Sequence, residues 1–100
     1  MVIWTKPAQT DLRSIHDYIA HNSKYYAKKV AQDIREKTDI LDQLPEIGKT
    51  VAEMDNANLR ELSLYSYRII YEIRDTKIFI LAIVHKRCDL TSETIKQRDY

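Results

Sequence analysis

One hundred residues make one domain with a modest core, and at that size folding buries roughly 60–65% of the surface an extended chain exposes. Hydrophobic residues are 44% of the chain and charged residues 31%, a balance that excludes a disordered polyelectrolyte. Sixteen Lys and Arg nearly cancel fifteen Asp and Glu, leaving a net charge of +1, so a surface devoted to broad nucleic-acid backbone binding is disfavoured, although a small cationic site is not.

A single cysteine, Cys88, cannot close an internal disulfide, which suits a reducing cytoplasm. The N-terminus lacks the charged start and long apolar run of a secretion signal, and the longest apolar stretch, residues 78–84, is too short to span a bilayer. A cytoplasmic protein without a membrane segment is expected.

In chain order, Val2-Ile3-Trp4 reads as a short strand. Pro7 suits the first turn of a helix, and Ala8, Leu12, Ile15 and Ile19 then recur at helical spacing, with Tyr18 widening the stripe. His21-Asn22-Ser23 supplies cap-type residues. A second helix follows with Ala27, Val30, Ala31, Ile34, Thr38, Leu41 and Leu44 on one face, running to Pro45 with Gly48 in the turn beyond. Helices joined this tightly predict an antiparallel hairpin, whose shared apolar side needs a sheet to cover it.

The second half predicts that sheet. Residues 49–54 read as a strand and 55–58 as a turn, followed by strands over 59–64, 67–73 and 77–85, the last two joined at Arg74-Asp75-Thr76. Short connections imply mainly antiparallel pairing, and the apolar run of the last strand predicts a central position buried on both faces. The expected fold is α+β: an N-terminal strand and an antiparallel helical hairpin packed on one face of a curved, mainly antiparallel sheet, in the order β-α-α-β-β-β-β. A polar tail closes the chain, with a short helix over 91–98.

Alternation places Tyr67, Ile69, Tyr71 and Ile73 toward the helices and Arg68 on the opposite, open face. In the last strand Leu81, Ile83, His85 and Arg87 form one set, so Arg68 and Arg87 are expected to meet on the open face near His85. Two guanidiniums and an imidazole suit a phosphate or carboxylate ligand. The structural alternative pairs Arg68 with Glu72 or Glu61 across strands. Glu61 is a candidate general base and His85 a candidate acid toward an RNA 2′-hydroxyl, against a merely ion-paired Glu61. His16 and His21, five apart, miss the spacing of two metal ligands on one helix face, and a single glycine cannot build a phosphate loop. No metal and no cofactor are expected.

Taken together, Asn58-Leu59-Arg60-Glu61-Leu62, Tyr67-Arg68-Ile69-Ile70-Tyr71 and Ile80-Leu81-Ala82-Ile83-Val84-His85-Lys86-Arg87 resemble the core signature of the RelE/ParE toxins of bacterial toxin–antitoxin pairs. Asp11-Leu12, Asp17-Tyr18-Ile19 and Leu44-Pro45-Glu46-Ile47-Gly48 are similar to the first helix and the exit from the second in the same family. The resemblance implies a cognate antitoxin, a hetero-oligomer with it, and one of two targets: messenger RNA on the ribosome for RelE-type members, DNA gyrase for ParE-type members. Val84-His85-Lys86-Arg87-Cys88-Asp89-Leu90 is similar to the ParE-type ending, with Cys88 in place of methionine.

For the ribonuclease type, the resemblance carries over Arg68 and Arg87, with Glu61 and His85 as the proton-moving groups. The lysines such enzymes use fall at Leu59 and Glu61, and the C-terminal tyrosine falls near Glu93, so the cationic set is incomplete. For the gyrase type, Arg87, Asp89 and Leu90 are the implied target contacts. The sequence favours the gyrase type, with the ribosome-dependent endoribonuclease and a non-toxic partner-binding descendant as alternatives.

Overall fold

The structure is a computed structural model and describes residues 1–87. Strand β1 (Val2–Trp4) leads into helices α1 (Lys6–Ala20) and α2 (Lys24–Asp39). A single 3-10 turn, Ile40–Asp42, follows, then β2 (Lys49–Thr50), β3 (Leu59–Leu64), β4 (Tyr67–Arg74) and β5 (Lys77–His85). The strands form one five-stranded sheet in the order β1-β5-β4-β3-β2. Only β1 and β5 pair in parallel; the other neighbours are antiparallel. The helical hairpin covers one face, so the α+β layout expected from the sequence is the one observed.

Local chemistry explains the element starts. Thr5 caps α1, its hydroxyl accepting from the Ala8 N–H (3.3 Å) while donating to the Ile80 carbonyl of β5 (2.7 Å). One buried side chain thus sets both the start of α1 and its position on the sheet. Ser23 caps α2 by accepting from the Tyr26 N–H (3.1 Å). The hairpins β3–β4 and β4–β5 turn at Tyr65-Ser66 and Asp75-Thr76, whose first residues take the left-handed φ values of 54° and 53°.

Leu12, Val30, Ile34, Leu41, Ile69, Tyr71, Ile78 and Ile80 form the core beneath the helices. A second cluster, Val51, Leu59, Ile70, Leu81 and Ala82, lies on the other face, with Met54, Phe79 and Val84 packed against it. That face is therefore not open. Residues 49–54 form a strand only at Lys49–Thr50, and the chain from Val51 folds as a strap that seats Val51 and Met54 on the sheet.

Two other expectations change. The α-helix of α2 stops at Asp39 rather than continuing to Pro45, and Leu44, read as part of its apolar face, is 51% exposed. Tyr18 does not widen the buried stripe of α1; it is 78% exposed. Strand β5 lies between β1 and β4 and is buried on both faces, as expected.

A bulge separates what simple alternation would keep together. Ile70 pairs with Ala82 and Tyr71 with Ile80, leaving Leu81 as the extra residue on β5. Leu81 and Ala82 consequently both pack away from the helices, while Ile80 and Ile83 pack beneath them. Leu81 and Ile83 do not share a face. Beside the bulge, the Ile83 N–H donates to Asp11 Oδ2 of α1 at 3.0 Å.

Candidate functional site

Arg68 stands on the face away from the helices, as alternation predicts. Its cross-strand partner Val84 belongs to the cluster on that face, and its chain neighbour Ile69 belongs to the helix-side core. The strap covers it, and Arg68 is only 7% exposed. Its Nε donates to Glu61 Oε2 (2.6 Å) and its Nη2 to Glu61 Oε1 (3.0 Å). The other edge of the fork meets Glu53 of the strap, Nη1 to Oε2 and Nη2 to Oε1, both at 2.9 Å. Four of the guanidinium's five N–H groups are thus committed to carboxylates. Glu53 first and Glu61 second hold the guanidinium even more firmly protonated than an ordinary arginine.

Arg68 therefore adopts the ion-paired alternative, with Glu61 and without Glu72, which pairs instead with Arg74 at 2.6 Å. Glu53 was not foreseen. No spacing rule links a strap residue to a strand residue fifteen positions on. The one available signal was a carboxylate within a segment too polar to be a buried strand.

His85 lies on the other side of the sheet. It pairs directly with Tyr67, and their rings meet edge to face with centroids 6.1 Å apart at 79°. Tyr67 packs against the helix-side core. His85 and Glu61 are thus on opposite faces, so the acid and base of the ribonuclease reading do not converge. The grouping of His85 with Arg68 is corrected for the same reason. Arg87 is exposed in the turn past β5, where its backbone N–H donates to His85 Nδ1 (3.1 Å). Asp89 and Leu90, like Cys88 and the expected helix over 91–98, lie outside the described residues.

Two tyrosine sites complete the frame. The Tyr71 hydroxyl, fully buried, donates to the Pro45 carbonyl (2.7 Å) and accepts from the Gly48 N–H (3.0 Å). A Cβ at Gly48 would fall 2.5 Å from that hydroxyl and 2.6 Å from the Glu61 carbonyl, which explains the glycine. Arg60, quoted in the sequence signature without a role, holds the same loop by donating to the Gly48 (2.9 Å) and Glu46 (3.2 Å) carbonyls. Tyr65, at the β3–β4 turn, donates its hydroxyl to Asp33 of α2.

On the outer flank of the hairpin, α1 and α2 enclose a groove of about 460 Å³ bordered by Lys6, Gln9, Arg13, His16 and Arg35. Its charged border is cationic. Among the described residues no cluster of three or more His, Cys, Asp or Glu is placed to hold a metal, and no helix is long and apolar enough to cross a membrane.

A helical hairpin on a five-stranded mixed sheet is a layout this chain shares with solved toxin–antitoxin structures. A chromosomal ParDE toxin–antitoxin system from Pseudomonas aeruginosa superposes with a TM-score of 0.71 at 28% identity, covering 84% of this chain and 92% of that one. The toxin–antitoxin complex RelBE2 from Mycobacterium tuberculosis shares the fold at a TM-score of 0.60 and 21% identity, over 85% of this chain and 95% of that one. The chain is 35% identical over 85 residues to toxin RelE2 of Caulobacter vibrioides, covering 84% of this chain and 92% of the relative. Residues 2–90 match the family described as ParE toxin of type II toxin-antitoxin system, parDE, and the chain belongs to that family.

Proposed function

We propose that this toxin acts as a gyrase poison and is not a nuclease. The observation that carries the reading is the state of Arg68. A ribonuclease of this fold would need that guanidinium for a phosphate, and here Glu61 and Glu53 occupy it beneath a strap. Both oxygens of Glu61 accept from the Arg68 guanidinium in the same cluster. His85 stands across the sheet from both. Leu59 and Glu61 occupy the positions where the resemblance expects lysines, so no cationic set replaces the missing one. The target contacts of this reading are Arg87, exposed past β5, together with Asp89 and Leu90.

The family match supports a cognate antitoxin. The groove between α1 and α2 is the candidate surface for it: Lys6, Arg13, His16 and Arg35 suit an acidic segment lying along the hairpin. The complex is then a hetero-oligomer of toxin and antitoxin.

The test is direct. Purified toxin added to gyrase and plasmid should reduce supercoiling and accumulate cleaved DNA held by the enzyme. In a translation extract it should leave messenger RNA intact. Unaffected gyrase together with cut messenger RNA would establish the endoribonuclease reading instead.

A further inference from the structure

Among the described residues, four tyrosines lie exposed at one end: Tyr18 (78%), Tyr25 (79%), Tyr26 (46%) and Tyr65 (39%). They come from three elements, the last turn of α1, the first turn of α2 and the β3–β4 turn. A fifth, Tyr67, sits among them. Burial first, and then the nearness of Tyr18 and Tyr26, push its hydroxyl pKa up. Tyr26 also neighbours Tyr65, and the His85 ring closes the edge of Tyr67. Single exposed hydrophobic residues are ordinary; a cluster converging from separate elements is not. Folding does not account for it, because Tyr18 and Tyr25 are largely outside the core and tyrosine is only a middling helix former.

The charge around these rings is uneven. Lys24 and Lys28 are exposed on the first turns of α2, and Lys86 and Arg87 are exposed past β5, where the Lys86 N–H ties that segment to the Ser66 carbonyl of the β3–β4 turn (2.8 Å). Among the described residues, the carboxylates beside these rings are Asp17, bonded to His16, and Asp33, bonded to Tyr65 and Lys29, fewer than the cations. In a chain of net charge +1, this is a local cationic rim around an aromatic centre.

We infer that the Tyr18–Tyr25–Tyr26–Tyr65 end docks an acidic protein surface, and that this surface belongs to the cellular target rather than to the antitoxin. The inference rests on the target-binding reading above, because Arg87 borders the same end. Tyrosines are amphipathic anchors that bury large area at low entropic cost, and a cationic rim steers and orients a carboxylate-bearing partner. A nucleic-acid strand would call for a continuous cationic track beside the rings, and four cations at the margins do not make one. The groove proposed above for the antitoxin is a separate cationic surface, on the flank of the hairpin.

The experiment immobilises the full chain and measures binding of gyrase holoenzyme, intact ribosomes and the cognate antitoxin. It compares wild type with Tyr18→Ala/Tyr25→Ala and with Lys24→Glu, a change that the positive N-terminus of α2 tolerates. The expected result is gyrase binding weakened about 30-fold by the double alanine variant and about tenfold by Lys24→Glu at low salt, with antitoxin binding within about twofold of wild type. Gyrase binding by wild type that both variants retain overturns the docking surface while leaving the gyrase reading intact. No gyrase binding by wild type overturns that reading and the occupant inferred here. Ribosome binding lost in the variants makes the partner a ribonucleoprotein, and an equal loss of antitoxin binding assigns the surface to the antitoxin; either result overturns the inference.

Discussion

Glu53 and Arg68 meet through two N–H···O contacts of 2.9 Å, joining a strap with little regular structure to a middle strand of the sheet. With Glu61 on the other edge of the same guanidinium, the three groups form a cluster of net charge −1 under the strap. The cluster fastens the strap and leaves Arg68 only 7% exposed.

Removing the cation should therefore cost more than removing either anion. Arg68→Met leaves Glu61 buried without a counter-charge, and a loss of about 3–5 kcal/mol in unfolding free energy is expected. Glu53→Gln, at the more exposed corner, should cost about 1–2 kcal/mol. Urea titrations of the two variants check this, and equal effects would mean that the cluster is not organised around Arg68.

The Gly48–Tyr71 contact gives a second pair of variants. Tyr71→Phe strands the Gly48 N–H and the Pro45 carbonyl, costing about 1–3 kcal/mol. Gly48→Ala forces a methyl group into the Tyr71 hydroxyl and the Glu61 carbonyl, and overpacking of this kind costs about 1–3 kcal/mol. Thermal unfolding of each variant, and of the double variant, is the measurement. Because the two sites touch, the double variant should lose less than the sum.

Tyr65 and Asp33 should titrate as a linked pair. The hydrogen bond to Asp33, above all, pushes the Tyr65 hydroxyl up to about 12, and the same bond from Tyr65 is the main cause holding the Asp33 carboxyl below the usual range. A raised Tyr65 pKa means that its contribution to stability is whole below the unfolded value of 10.0 and disappears as pH climbs toward about 12. The lowered Asp33 pKa works at the other end: its contribution is present above the unfolded value of 3.8 and fades as pH falls below it. Both groups are solvent-accessible, so the effect on stability is small. Difference spectra of wild type against Tyr65→Phe should isolate a tyrosine titrating near 12. In Asp33→Asn it should return toward 10.0.

For the antitoxin groove, charge reversal is the sharpest probe. Arg13→Glu combined with Arg35→Glu should weaken binding of the cognate antitoxin about tenfold or more at low salt, with a smaller effect at high salt. Titration calorimetry at two ionic strengths checks both parts. An unchanged affinity would place the antitoxin elsewhere on the toxin.

Much of this fold was legible because its signals are local. Helical spacing at Ala8, Leu12 and Ile15, the caps around Ser23, and short turns between apolar runs each act within a few residues. What alternation could not show is the bulge at Leu81, since the extra residue depends on how β4 and β5 pair. That single slip moves Leu81 away from Ile83 and separates His85 from Arg68. The strap escapes a local reading for a related reason. Val51 and Met54, three positions apart, would point to opposite faces of a regular strand, yet both meet the sheet from above, an arrangement set by Glu53 finding Arg68 at long range. Tyr18 and Leu44 fit the helical stripe by spacing alone but stand in solvent.

If Arg68 serves as a structural cation rather than a phosphate ligand, replacing the whole charged cluster leaves activity unchanged. Exchange of a buried ion cluster for apolar side chains of similar volume is often neutral for stability. Arg68→Met/Glu61→Leu/Glu53→Gln, confirmed as folded by antitoxin binding, should therefore be compared with wild type for accumulation of cleaved DNA by gyrase and for messenger RNA integrity in a translation extract. Equal gyrase poisoning by both proteins and intact messenger RNA throughout are expected. Messenger RNA cut by wild type and spared by the triple variant would contradict the structural role of Arg68.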